Sequence, residues 1–249
     1  MIVTVMNQKG GVGKTTTVAN LGHALAQAGQ RVLLVDFDPQ ANLTQGLGLD
    51  DDGPTIYEAM LRRTPLADTI RRRDGLAVVP SRLAFAEAEF QLAGELGKEM
   101  ICREILADVG PSFDLVLMDV PPSLGFYPLS ALIASDRVLV PVQAGYYALE
   151  GVAGILRAMA SVRQRFNAGL GLWGILVTQY DSRKRIHQDV LTQIRLDFGE
   201  KVLRTVIRQN VALEDCPSHG LTVFEYRPAS YGAVDYRTAA RELLEVDRG

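Results

Sequence analysis

Asn7-Gln8-Lys9-Gly10-Gly11-Val12-Gly13-Lys14-Thr15-Thr16-Thr17 is the stretch whose reading decides the fold. Met1-Ile2-Val3-Thr4-Val5-Met6 precedes it, an apolar, β-branched run that predicts a buried strand. Behind it, Val18, Leu21, Leu25 and Ala28 recur at helical spacing, and Gly29 supplies a C-terminal stop. Strand, glycine loop and helix in that order is the setting of a phosphate-binding loop. Gly10, Gly11 and Gly13 free the backbone to turn tightly, so that successive N–H groups converge on phosphate oxygens. The helix dipole adds partial positive charge at the same point. On this reading the loop from Lys9 through Val12 to Thr16 wraps the phosphates. Lys14 reaches the β- and γ-phosphates, and the Thr15 hydroxyl holds Mg²⁺.

Two further strands end in acids. Arg31-Val-Leu-Leu-Val-Asp36-Phe-Asp38-Pro39-Gln40 predicts a buried strand stopped by Pro39, with both carboxylates at its carboxyl end. In an open parallel sheet that is the edge where ligands bind. Phe113 to Met118 leads into Asp119 in the same way, at the position expected of an acid that holds Mg²⁺ through water. Further apolar runs predict strands over 76–80, 137–142 and 172–178. Helices are expected over 56–61, 81–96, 98–109 and 151–166, with Val152, Ile155, Leu156, Met159 and Val162 lining one face of the last. A final helix from Ser230 is expected to turn Val234, Ala239, Leu243, Leu244 and Val246 inward. Strands alternating with helices imply an α/β domain whose mostly parallel, twisted sheet is covered by helices on both faces.

The chain has 249 residues, enough for a full core in a single domain spanning 1–249, with 47% hydrophobic and 22% charged residues. A net charge of −3 gives no overall nucleic-acid signature, so any DNA contact must be a local patch. Cys102 and Cys216 form no CxxC pair, and His23, His187 and His219 have no metal-ligand spacing. The cysteines argue against a zinc or iron–sulfur site and suit a reducing cytoplasm. A strand starting at residue 1 is expected to leave no room for a signal peptide or an N-terminal DNA-reading domain. No apolar run approaches the roughly 18 residues of a membrane helix, so no membrane partner is expected. Residues 50–75 are polar and locally basic, through Arg62-Arg63 and Arg71-Arg72-Arg73, which reads as a solvated face or a secondary DNA or partner surface.

The usual phosphate-loop pattern has a glycine where this chain has Gln8, and Lys9 is an additional lysine. Lys9-Gly-Gly-Val-Gly-Lys-Thr-Thr16 resembles the deviant loop of the ParA/MinD ATPases. Asp38-Pro-Gln-Ala-Asn-Leu-Thr44 and Asp119-Val-Pro-Pro-Ser-Leu-Gly125 resemble the second and third motifs of the ParA/Soj family, and Pro141-Val-Gln143 with Tyr147-Ala-Leu-Glu-Gly151 is similar to Soj. The resemblance runs from Met1 nearly to the end. It implies a single-domain P-loop ATPase in which Asp38 positions or activates the attacking water and Asp36 lies near the magnesium waters. It also implies an ATP-bound homodimer in which Lys9 crosses to the partner's phosphates, with the region around helix 151–166 contributing to the interface. An adenine pocket is implied around Gln179 and around Ile207 to Asn210, including Arg208. Non-specific DNA binding on the nucleoid, through an arginine matching Arg183, and a ParB-like stimulating partner complete the implication.

Lys184 and Arg185 extend Arg183 into a compact patch suited to phosphate oxygens rather than base edges. A solvated helix start is the alternative. The family usually reads Ile-Pro-Arg-Asn-Val-Arg-Leu where this chain has Ile207-Arg-Gln-Asn-Val-Ala-Leu213. Its second DNA-contacting arginine therefore matches Ala212, so that DNA contact is weaker, rebuilt from Arg204 and Arg208, or absent. A ParA-like ATPase positioning another cargo stays open, as does a biosynthetic phosphoryl- or amide-transfer enzyme. A MinD-like membrane switch needs a basic amphipathic tail, which Glu245-Val-Asp-Arg-Gly249 lacks.

Overall fold

The computed structural model describes residues 1–50 and 52–246, without the side chain of Val246. The expected inward packing of Val246 and the tail beyond it thus lie outside the described residues. Eight strands among the described residues are β1 (Ile2–Val5), β2 (Val32–Asp36), β3 (Arg71–Arg73), β4 (Leu76–Val79), β5 (Leu115–Asp119), β6 (Arg137–Gln143), β7 (Gly171–Tyr180) and β8 (Val202–Arg208). They form one sheet ordered β3-β4-β2-β5-β1-β6-β7-β8, in which only β3 runs antiparallel. The helices are α1 (Lys14–Gln27), α2 (Asn42–Gly46), α3 (Ile56–Met60), α4 (Ala88–Gln91), α5 (Ile101–Val109), α6 (Phe126–Ala134), α7 (Ala148–Arg165), α8 (Arg185–Phe198), α9 (Val211–Asp215), α10 (Val223–Tyr226) and α11 (Tyr231–Val246).

Strand side chains alternate, and this sorts the core into two halves. Leu33 and Val35, Val116 and Met118, and Val138 and Val140 face the layer of α5, α6, α7 and α8. Val3 and Val5, Leu34, Leu117 and Leu139 face the layer of α1 and α11. The same parity turns Asp36 and Asp119 toward α1, and they are register partners across β2 and β5. In β7 the alternation is interrupted: Leu172 pairs with Val138 but Gly174 with Leu139, so Trp173 is an inserted bulge residue. The bulge resets the parity, places Leu176 on the α1 side, and thereby turns Thr178 toward the loop that precedes α1.

Several expectations are corrected. Residues 81–96 form a 3₁₀ segment over Leu83–Glu87 and the short α4, not one helix: Phe85, Ala88 and Leu92 are buried in the core while Leu83, Phe90 and Leu96 are exposed. Arg71–Arg73, in the run expected as a solvated face, forms an edge strand: Arg72 is exposed, Arg71 donates to the Asp52 and Pro54 carbonyls, and Arg73 pairs with Glu225. Val234 is exposed, since the inward stripe of α11 is Ala233, Tyr236, Ala239, Ala240 and Leu243. Ala28 is the exposed C-cap of α1, ahead of Gly29 at φ 88°. On α7, Val152, Ile155, Met159 and Val162 are buried as expected, with Leu156 partly so.

Candidate active site

The loop between β1 and α1 is held from two sides. Asn7 donates to the Pro141 carbonyl at 2.7 Å and accepts from the Lys9 N–H at 3.0 Å, which ties the loop to β6. Thr178 donates to the Val12 carbonyl at 2.8 Å, and Gln179 to the Gly11 carbonyl at 2.6 Å, which ties it to the end of β7. Gly11 and Gly13 take φ values of 74° and 84°, a region that a side chain disfavours. Gly13 caps α1 with no side-chain acceptor, so the first N–H groups of the helix remain available to an anion.

Lys14 is buried, and burial lowers its pKa while the Asp119 and Asp38 carboxylates oppose that shift. Its ammonium donates to the Lys9 carbonyl at 3.3 Å. Lys9 is exposed, its ammonium 3.4 Å from Gln143 Oε1. Thr15 donates to Asp119 Oδ2 at 2.6 Å, and Asp119 Oδ1 is buried without a partner among the described residues. Burial, and then the neighbouring Asp36 charge, push the Asp119 carboxyl well above the usual carboxylate range. An orphaned buried carboxylate oxygen beside a threonine hydroxyl and a phosphate loop fits a hydrated Mg²⁺.

The two other acids differ. Asp36 is fully buried and accepts from Thr44 N–H at 2.8 Å, from the Thr44 hydroxyl at 2.7 Å and from Asp38 N–H at 3.3 Å. Burial raises its pKa to about 6 against those hydrogen bonds. Asp38 lies at the floor of a cavity of about 380 Å³ that Gly10, Gly13, Lys14 and Thr15 also line. Only one of its oxygens is engaged from the loop, by Gln40 N–H at 2.9 Å. A second cavity of about 390 Å³, lined by Arg208, Asn210, Leu213 and Tyr236, shares Gly13, Thr16 and Gln179 with the first. The pair has the form of a nucleotide site, with a cationic end for phosphates and a mixed end for a base.

Residues 1–172 match the family model described as an AAA domain. The chain is 47% identical over 242 residues to the chromosome-partitioning ATPase Soj of Thermus thermophilus, covering 97% of this chain and 94% of the relative. It is 40% identical to the Treponema pallidum chromosome-partitioning ATPase Soj, covering 97% and 96%. The chain belongs to the Soj/ParA family of ATPases. A structure of cobyrinic acid a,c-diamide synthase from Mycobacterium smegmatis with bound ADP and magnesium is also similar, at 37% identity and a TM-score of 0.86 over 100% of this chain and 95% of that one. Cyanothece McdA(D38A) with ATP, at 20% identity and a TM-score of 0.86, covering 98% of this chain and 96% of that one, shares the fold.

Against the Soj/ParA pattern, the cationic residues fall into two sets. Arg183, Lys184 and Arg185 are exposed where β7 passes into α8. Arg183 makes a bidentate pair with Asp181, at 2.9 Å to each oxygen, and Arg185 approaches Asp189 at 3.9 Å. Arg204 and Arg208 face acids as well. Arg204 reaches Glu242 and Glu245, while Arg208 makes a multi-dentate pair with the buried Asp235 and stacks over Tyr231 at 4.1 Å. Ala212 is buried. Asn210 caps α9 by accepting from Ala212 N–H at 2.9 Å, and Gln179 holds φ 51° at the junction of the two cavities. Among the described residues no helix is long and apolar enough to cross a membrane.

Sequence reasoning missed Thr44, Thr178 and Tyr236, whose hydroxyls anchor Asp36, Val12 and Thr17. Thr44 closes the motif that begins at Asp38. Thr178 and Tyr236 carry no local pattern, since their partners lie 166 and 219 residues away.

Proposed function

We propose that the protein is an ATP-hydrolysing switch that segregates a chromosome or plasmid, closing into a DNA-bound homodimer when ATP is in place. The observation that carries this reading is the pair of lysines on one loop, Lys14 lining the phosphate cavity and Lys9 exposed beside it, in a neighbouring cavity with Gln8, Gln143 and Arg157. Lys14 and the N–H groups from Gly10 to Thr16 bind the phosphates. Lys9, turned outward, is free to neutralise the phosphates of a second copy. Asp38, with one oxygen unengaged by the loop, orients a water for in-line attack on the γ-phosphorus, and little else is asked of the protein in phosphoryl transfer. Magnesium would supply charge neutralisation at the phosphates, with Thr15 and Asp119 the residues that would hold it and Asp36 fixing the neighbouring loop. The base cavity of Gln179, Arg208 and Asn210 takes the adenine.

Arg183, Lys184 and Arg185 are the DNA-facing residues, since three exposed cations stand together there, whereas Arg208 is held by the buried Asp235. Such a patch reads phosphate without sequence, which fits cytoplasmic action on the nucleoid with a ParB-like partner stimulating turnover. An exposed Lys9 beside the phosphate cavity has no part in amide-forming chemistry within one chain, and this favours the switch over a biosynthetic role. The test is binding of the Asp38→Ala protein to non-specific duplex DNA at two salt concentrations, with ATP, with ADP and without nucleotide. ATP-dependent, salt-sensitive binding that weakens and flattens in Arg183→Glu supports segregation. A dimer that ignores DNA points to an ATPase positioning another cargo.

A further inference from the structure

α11 packs along α1, and one bond between the two helices ends on the candidate nucleotide site. Tyr236 of α11 is fully buried, and it lines the cavity assigned above to the base. Its hydroxyl lies 3.0 Å from the Thr17 hydroxyl. Thr17 is buried in the first turn of α1, where its N–H donates to the Gly13 carbonyl at 2.9 Å. Lys14, Thr15 and Thr16 occupy the same turn. Neither hydroxyl has a second partner among the described residues. The core that α1 and α11 share is otherwise apolar, with Val18, Leu21, Ala233, Ala239 and Leu243.

Docking of α1 does not depend on this bond. Farther along the helix, Asn20 accepts from the Val223 N–H at 2.7 Å, and His23 Nδ1 meets the Thr222 hydroxyl at 2.8 Å. A buried hydroxyl pair also adds little net stability, since a phenylalanine and a valine of the same shape would pack there about as well. What the pair does is hold the phosphate-binding turn at a set distance from the wall of the base cavity. The residue before Tyr236 serves the same wall: Asp235 accepts from the Arg208 N–H at 3.0 Å and pairs with its guanidinium. One helix therefore carries part of the base cavity and grips the turn that holds Lys14. Binding energy gained at a remote part of a substrate can in this way be spent on aligning the reacting part.

We propose, resting on the base cavity of the reading above, that Tyr236 is a positioning residue for ATP hydrolysis. A base seated against its ring sets the first turn of α1 through the Thr17 hydroxyl, and with that turn Lys14 and Thr15. The test measures kcat and KM for ATP in the unmodified protein, Tyr236→Phe, Thr17→Val and the double variant, each with its urea unfolding curve. Each single variant lowers kcat roughly tenfold, while KM holds within about twofold because the ring remains. The double variant loses no more kcat than either single one, and it recovers the stability that the single variants lose. That combination separates positioning from packing. Unchanged kcat in the double variant, a rise in KM without a loss of kcat, or kcat losses that multiply would each overturn the role of Tyr236. Photolabelling with 8-azido-ATP, mapped by mass spectrometry, checks the cavity on its own. Label at Gln179 or within 207–217 keeps the base there, so that a kinetic failure counts against Tyr236 alone. Label elsewhere removes the base cavity, and the role of Tyr236 with it.

Discussion

Lys14 is the residue on which the chemistry turns, because a buried ammonium facing two carboxylates is placed to meet phosphate oxygens. Lys14→Ala removes that charge without touching the loop glycines, so ATP affinity should fall below detection in a titration by calorimetry; unchanged affinity contradicts the placement. Asp36 makes a different kind of prediction. Its carboxyl is raised by burial to about 6, so the folded protein holds this proton over a pH range where the unfolded chain has released it. The stability from the group is therefore full below the ordinary aspartate range and is lost as pH rises through about 6. Set against Asp36→Asn, which cannot titrate, the wild-type advantage in urea unfolding should shrink by about 3 kcal/mol from about pH 4 to about pH 7. A constant difference would show that Asp36 is ionised throughout. Both lysines and all three acids were legible in the chain, since each closes a run of strand residues or sits among glycines. What was hidden is how the acids divide, because partners such as Thr44, and the register that sets Asp36 beside Asp119, are products of the folded sheet.

At the scale of elements, the segment that follows β2 depends on an aromatic cluster. Phe37 is fully buried against Phe85 and Tyr127, and it is the pivot between Asp36 and Asp38. Phe37→Ala should cost about 3–5 kcal/mol in urea unfolding and slow ATP turnover as the Asp38 loop loses its anchor; full turnover at that cost in stability would separate packing from chemistry. Period-two and period-3.6 patterns disclosed β1, β2, β5, β6, β7, α1, α5 and α7 to within a few residues. They failed over 81–96, where apolar residues at helical spacing serve two opposite faces and the core accepts only one. They failed also at Arg71–Arg73, since three arginines form a strand only because β4 offers an edge and Pro54, Asp52 and Glu225 receive the side chains. The bulge at Trp173 left no trace in the chain, yet it turns Thr178 toward the loop.

At the scale of the molecule, the architecture gathers every candidate group on one edge of the sheet: the loop after β1, Asp38 after β2, Asp119 at the end of β5 and Gln179 in β7. One protomer thus presents a nearly complete phosphate site with an outward Lys9 beside it. The measurement closest to the central claim is the molar mass in solution of the Asp38→Ala protein with magnesium and ATP, with ADP and with no nucleotide, repeated with Lys9→Ala added. The mass should double with ATP alone, and the doubling should be lost when Lys9 is removed. A mass that ignores nucleotide, or a dimer that forms equally well without Lys9, would contradict that claim.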